Sequence, residues 1–248
     1  MRAVVRTLLA IFLFGSAVAA GPGRATAEPV DLELVLAVDV SGSVDAFEAQ
    51  LQREGYLRAL VHPQVLKAIT SGERKKIAVT YVEWAGGYFQ RTVVDWAVIS
   101  DEASARAFVA RLNAVPVITE RWTSISGAID FAMERLKASP HKGERRVIDI
   151  SGDGPNNSGR PVREARDQAV KAGVTINGLP IVNDRPNPWG RPPPPNLDKY
   201  YFDNVIGGPG AFIVVARGFK NFAEAIRNKM VREIAGRRFE RVVPAAAR

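Results

Sequence analysis

The stretch from Leu32 to Ser43, LELVLAVDVSGS, restricts the possible folds of this chain more than any other. Its run Leu34, Val35, Leu36, Ala37, Val38 is continuously apolar. That is the pattern of a central parallel strand covered on both faces. The run breaks into Asp39, Ser41 and Ser43, oxygen donors at alternate positions, with Gly42 between the serines. In an extended chain, donors two residues apart stand roughly 6.6 Å from each other, too far to share one small ion. A curl at Gly42 lets one carboxylate and two hydroxyls converge. Hard oxygen donors with little charge suit Mg²⁺, with Mn²⁺ as the alternative ion. The competing reading is a capping loop whose oxygens satisfy helix N–H groups.

D-x-S-x-S at the end of a first strand resembles the metal-ion-dependent adhesion site of von Willebrand factor A (vWA) domains. The resemblance implies that a threonine and an aspartate from two later loops complete the site. Thr123, in RWTSISGAIDFAMERL, lies where a loop becomes a helix. Asp153, in VIDISGDGPNN, lies where a strand ends. On this reading Ser41 and Ser43 are direct hydroxyl ligands, and Asp39 and Asp153 supply negative charge directly or through water. Thr123 is a direct ligand in one conformational state, as the resemblance suggests. The similarity runs from Val30 to Gly236, and within it the chain is most similar to an uncharacterised family of secreted bacterial vWA-like proteins. That narrower likeness brings no known partner.

The rest of the chain alternates between the two structural periods. Helices are expected over Ala46–Val61, Asp101–Asn113, Ser124–Ala138, Pro161–Ala172 and Phe219–Ala235, with a shorter or irregular one over His62–Thr70. Strands are expected over Lys76–Trp84, Tyr88–Val98, Arg146–Ser151, Val174–Val182 and Ala211–Ala216. Gly86-Gly87 is too short a connection for a parallel crossover, so the second and third strands form a hairpin. The fold class is α/β: a doubly wound, mostly parallel central sheet with one antiparallel edge strand and helices on both faces, Rossmann-like as in vWA domains. Ligands of such sheets bind beyond the carboxyl ends of the strands, where Asp39, Thr123 and Asp153 fall. Residues 183–196, NDRPNPWGRPPPPN, form a Pro-rich surface insertion, because so many missing N–H donors exclude helix and inner strand.

Arg2 and Arg6 precede an apolar run from Thr7 to Ala20 and then small residues, the pattern of a secretory signal. The run is short against the ~20 residues needed to span a bilayer. Cleavage after Ala27 is favoured over cleavage after Ala19. The organisation expected is therefore a signal peptide over 1–27, a vWA-like domain over 28–236 and a basic tail over 237–248, with the protein periplasmic or secreted. Formal net charge is +8. Much of it lies near the C-terminus, in Lys220, Arg227, Lys229, Arg232, Arg237, Arg238 and Arg241. The plain reading is a solvated helix face; the alternative is contact with acidic proteins or a membrane surface. Nucleic acid is not expected, since no basic–aromatic stacking pattern is present.

The absence of cysteine excludes disulfides, thiolate metal sites and a Cys nucleophile. His62 and His141 stand in loop-like contexts, against a His-based zinc site or a Ser-His-Asp triad. Asp149, between apolar neighbours in VIDIS, needs a partner; it either holds the metal loops or faces a polar gap. Asn156 is a candidate binding residue at the rim, though Asn157 and it also suit turn chemistry. The tryptophans read as core or loop anchors, except Trp189, which in a Pro-rich loop is a candidate interface anchor. The function expected is an exported, non-catalytic module that recognises an Asp or Glu of a protein partner through its divalent ion. The alternatives are a Mg²⁺-dependent hydrolase or phosphotransferase, and a structural envelope subunit whose site never takes an ion. Against catalysis, the motif loops contain no His, Cys or Lys, and no Walker-type phosphate loop is present.

Overall fold

In the computed structural model, residues 27–183, 186, 189–190, 192–218 and 222–236 are described. The expected signal segment up to residue 26, the tail from residue 237, Lys220, and residues 184, 185, 187, 188 and 191 of the Pro-rich insertion lie outside them. So does Phe219, the expected start of the last helix. In chain order the elements are β1 (Glu28–Asp39), α1 (Ala46–Leu60), α2 (Pro63–Thr70), β2 (Ile77–Trp84), β3 (Gln90–Ile99), α3 (Glu102–Asn113), α4 (Ile125–Lys137) and β4 (His141–Gly152). There follow α5 (Val162–Lys171), β5 (Thr175–Val182), α6 (Leu197–Tyr200) running into a π-helical turn (Tyr201–Val205), β6 (Ala216–Arg217) and α7 (Phe222–Ala235).

β1 is the axis of the molecule. It pairs in parallel with β2 on one side and β4 on the other, in a six-stranded sheet of order β3-β2-β1-β4-β5-β6. Only β3 is antiparallel, at the edge. Every residue from Leu34 to Val38 is buried, as a strand covered on both faces requires. Leu32, Leu34, Leu36 and Val38 face one helical layer, packing with Tyr56 and Leu60 of α1, Ile69 of α2, and Phe222 and Met230 of α7. Val35 and Ala37 point the other way, toward Ile125 and Ile129 of α4, Ala165 of α5 and Tyr201. The period-two alternation thus sorts one apolar run into two cores.

The sheet order also locates a crevice. The chain leaves β1 toward β2 and later returns to β4 on the opposite flank, so connections diverge at the carboxyl ends of β1 and β4. Asp39 ends β1, and Asp153 follows the last residue of β4.

Three expectations need correction. β4 begins at His141 rather than Arg146, because the polar segment His141–Arg145 pairs by backbone with Glu28–Leu32. The strand expected over Ala211–Ala216 is reduced to β6 and one isolated bridge, Gly178 to Ile213. There the Asn177 side chain accepts the Phe212 N–H at 3.1 Å, and Gly208 and Gly210 adopt left-handed backbone (φ 93° and 73°), so no continuous ladder forms. Lys229, expected on a solvated face, is fully buried on α7, where it meets Asp149 at 2.5 Å and also Glu233. Asp149 thereby has its partner, and it ties β4 to α7.

Candidate metal centre

The loop after β1 curls as the serine spacing requires. Asp39 Oδ1 accepts the Ser41 N–H at 2.7 Å, folding the backbone back over the strand end. Ser41 Oγ and Ser43 Oγ then lie 3.0 Å apart. Ser43 Oγ donates to Asp153 Oδ1 at 2.6 Å, joining positions 110 residues apart. Helix α1 starts directly behind this loop, capped by Asp45, which accepts the Glu48 N–H at 2.7 Å while Glu48 accepts the Asp45 N–H. Gln52, one turn further along α1, donates to the Asp39 carbonyl at 3.3 Å.

Thr123 reaches the same place from the far side. It is buried and lines one cleft with Ser41, Ser43 and Asp153. A Cβ built on Gly154 would lie 3.8 Å from Thr123 Oγ1, so the threonine hydroxyl borders the Asp153 loop. Asn157 sets its position: the Thr123 N–H donates to Asn157 Oδ1 at 2.8 Å, and the Asn157 N–H donates to the Thr123 carbonyl at 2.8 Å. Asn156 acts one step away. Its Oδ1 accepts the Ser126 N–H at 3.0 Å and its Nδ2 donates to the Arg160 carbonyl at 3.2 Å, fastening the loop after β4 to the start of α4. The Asn156 amide is thus engaged inside the protein, whereas Asn157 borders the cleft. Trp189, the candidate interface anchor, is exposed and lines the cleft as well.

The electrostatics are those of a site short of positive charge. Asp39 is fully buried, and burial, then the facing Asp153, hold its carboxyl well above the usual range. Burial pushes Asp153 up to about 6, against the Ser43 hydrogen bond and with Glu48 adding repulsion. Among the described residues neither carboxylate is in an ion pair, and Asp39 Oδ2 is buried with no hydrogen-bond partner. An orphaned buried carboxylate oxygen is costly unless something completes it. Two carboxylates, two serine hydroxyls and a threonine hydroxyl are all hard donors, so the set fits a divalent cation of the Mg²⁺ or Mn²⁺ type.

Some neighbours of the site carry no sequence signal. Tyr201 is buried, with its hydroxyl unpartnered among the described residues. A Cβ at Gly152 would lie 2.7 Å from Asp39 Oδ2 and 2.8 Å from the Tyr201 hydroxyl, so only glycine leaves room for both. Nothing in the run KYYF distinguishes Tyr201 from its neighbours, because its role arises where the π-helical turn meets the end of β4. Trp122 also departs from expectation. It is neither core nor a simple loop anchor but exposed on the rim, in left-handed backbone at φ 66°.

With this geometry in view, the likeness to known proteins is specific. Residues 29–238 match the family described as protein of unknown function (DUF1194). No curated protein matches the chain. Among solved structures, a von Willebrand factor type A protein from Catenulispora acidiphila superposes with a TM-score of 0.57 at 14% identity, over 83% of this chain and 43% of that one. The vWF domain of the type V pili tip protein Mfa5 from Porphyromonas gingivalis gives 0.56 at 11% identity, over 86% and 98%. Proximal thread matrix protein 1 from the mussel byssus, with a zinc-occupied MIDAS motif, gives 0.57 at 11% identity, over 84% and 49%. The chain thus spans less than half of the first and last of these. At such identities the shared property is the fold, and it is the vWA fold.

Proposed function

The chain belongs to the DUF1194 family, and from that premise we propose that it is an exported, non-catalytic binding module that holds a divalent cation and through it recognises an acidic side chain of a protein partner. The observation that carries the proposal is Asp39 Oδ2, buried and without a hydrogen-bond partner among the described residues, beside a second raised carboxylate, Asp153, and two serine hydroxyls. Asp39, Ser41, Ser43, Thr123 and Asp153 would hold the ion. When bound, the ion would supply a positive centre able to attract a carboxylate oxygen. The two aspartates only neutralise a divalent ion, so an incoming carboxylate meets no net negative charge there.

The reading as a binding module, not an enzyme, is supported by the cleft lining. Among the described residues that line it there is no His, Cys or Lys to act as general base or nucleophile. Several structures with this fold are adhesion or matrix proteins: the Mfa5 pilus tip, the mussel thread protein and a pilus adhesin from Lactobacillus rhamnosus GG. The arginine-led apolar segment at the N-terminus supports a place in the envelope or outside the cell.

Calorimetric titration of the purified protein with Mg²⁺ and Mn²⁺ tests the proposal. Saturable binding that disappears in Asp39→Ala is expected. Unchanged affinity in that variant would refute the ligand set, and a Mg²⁺-dependent hydrolytic rate lost in Asp39→Ala would refute the non-catalytic reading.

A further inference from the structure

A cleft of about 460 Å³ opens above Ser41, Ser43, Thr123 and Asp153, within the size range of sites that bury a ligand of a few groups. Part of its lining is apolar, from Trp122, Trp189 and Pro192–Pro194, and part is polar, with Asn157 and Asn183 beside the hydroxyl donors. Arg121 is the one charged side chain besides Asp153 among the described residues of the lining. Large apolar side chains are exposed at five described positions, and Tyr88, Trp122 and Trp189 gather on this rim. Tyr88 and Trp189 border one hollow beside Arg121, and Tyr88 and Trp122 both crowd Gly86.

Neither tryptophan is placed casually. Trp122 is 59% exposed and sits in left-handed backbone, a conformation that a bulky side chain rarely adopts. The turn after β2 enforces that conformation from both sides: the Gly86 N–H donates to the Arg121 carbonyl at 3.0 Å, and the Ser124 N–H donates to the Ala85 carbonyl at 2.7 Å. The strain points the indole outward immediately before Thr123. Trp189, 60% exposed, lays the edge of its ring on Gly42, between Ser41 and Ser43; a Cβ at Gly42 would stand 2.7 Å from Trp189 Cη2. Exposed aromatics held in fixed positions around a polar centre are the composition of binding hot spots.

We propose that Trp122, Trp189 and Arg121 make the cleft selective for a peptide segment of a protein partner in which the acidic residue is flanked by apolar or proline side chains. This rests on the ion-mediated reading above and adds the chemistry on either side of the carboxylate. A single arginine and one ion position complement one or two negative charges, not a polyanion. The aromatic and proline walls bury apolar side chains next to the carboxylate, which amino-acid neighbours supply.

The test is fluorescence and calorimetric titration of the full chain in saturating Mg²⁺ with short blocked peptides. One set carries a central Asp between Pro and Leu, a second the same Asp between Ser and Asn, and a third Asn in place of Asp between Pro and Leu. An acidic sugar serves as a non-peptide control. The first set should bind about tenfold tighter than the second, with a change in tryptophan emission, and the third should not bind. Trp122→Gly, which removes the indole and relieves the backbone, should melt no lower than wild type, keep Mg²⁺ affinity and lose the flank preference. Trp189→Ala, which removes the ring laid on Gly42, should reduce that preference. Asp-dependent binding with no flank preference, or an unchanged preference in both variants, overturns the selectivity and leaves the ion-mediated reading standing. Absence of Asp-dependent binding in every set, or binding of the sugar alone, overturns both.

Discussion

Asp39 carries two opposed obligations. Its Oδ1 shapes the loop by accepting the Ser41 N–H, while its Oδ2 is buried and has no hydrogen-bond partner among the described residues. Asp39→Asn preserves the first role and removes the charge. Without added metal this variant should melt above wild type, because the cost of burying the Asp39 charge, and then its repulsion with Asp153, are relieved. With Mg²⁺ the order should invert, since the variant loses about a hundredfold or more in affinity. Thermal melts with and without Mg²⁺ check both. Proton competition adds a pH dependence. Asp153 holds its proton up to about 6 in the metal-free folded protein, so Mg²⁺ affinity should rise as pH increases through that value. Calorimetry at about pH 5 and about pH 7.5 reads this directly. Ser41→Ala and Ser43→Ala each delete a neutral donor that water can replace, so either should weaken binding less than Asp39→Ala does.

Helix α7 docks through a charge cluster instead of an apolar stripe alone. Lys229 meets Asp149 of β4 and Glu233 of its own helix, and Asn177 of β5 donates to Glu233 at 3.1 Å. Removing a buried cation leaves two uncompensated carboxylates, so Lys229→Ala should lower stability by about 3–5 kcal/mol in denaturant unfolding. Burial and the neighbouring Asp149 raise Glu233 from 4.5 to about 7. The folded protein therefore binds more protons than the unfolded chain between those values, and this contribution to stability is present at low pH and lost as pH rises through about 7. Glu233→Gln should flatten that part of the stability profile, measured by melts across the window. Helix α1 is tied in a comparable way: buried Arg53 pairs with Glu83 of β2 and donates to the carbonyls of Leu112 and Val115. That fixes the beginning of the loop that ends at Trp122 and Thr123.

At the scale of the molecule, the sheet order places the two ends of the site beside each other, and the proposed export carries a prediction of its own. If residues 1–27 are removed on export, three arginines and no acid leave with them, and net charge falls to +5. Mass spectrometry of protein recovered from the producing cell should then find an N-terminus near Ala20 or Glu28. An intact Met1 in a membrane fraction would rule the export reading out. What remains is modestly basic, which favours acidic partners at long range without selecting among them.

The legible part of this protein is local. A five-residue apolar run, a two-glycine turn and alternating helical and strand periods imply a mostly parallel sheet with one antiparallel edge, and that sheet is observed. D-x-S-x-S needed only its own spacing to be noticed. The arrangement of more distant residues depended on packing. Asp153 meets Ser43 because β4 lies beside β1, and no local rule carries information across 110 positions. Lys229 looks like any basic residue of an amphipathic helix until Asp149 and Glu233 are placed against it. Trp122 has no glycine-like signal for left-handed backbone; the turn after β2 imposes that conformation by hydrogen bonds on both sides. Short-range sterics and hydrophobic periodicity are written along the chain and fix element type. Buried charges, unpartnered oxygens and strained backbone exist only once separate segments occupy one volume, so the tertiary structure alone decided them.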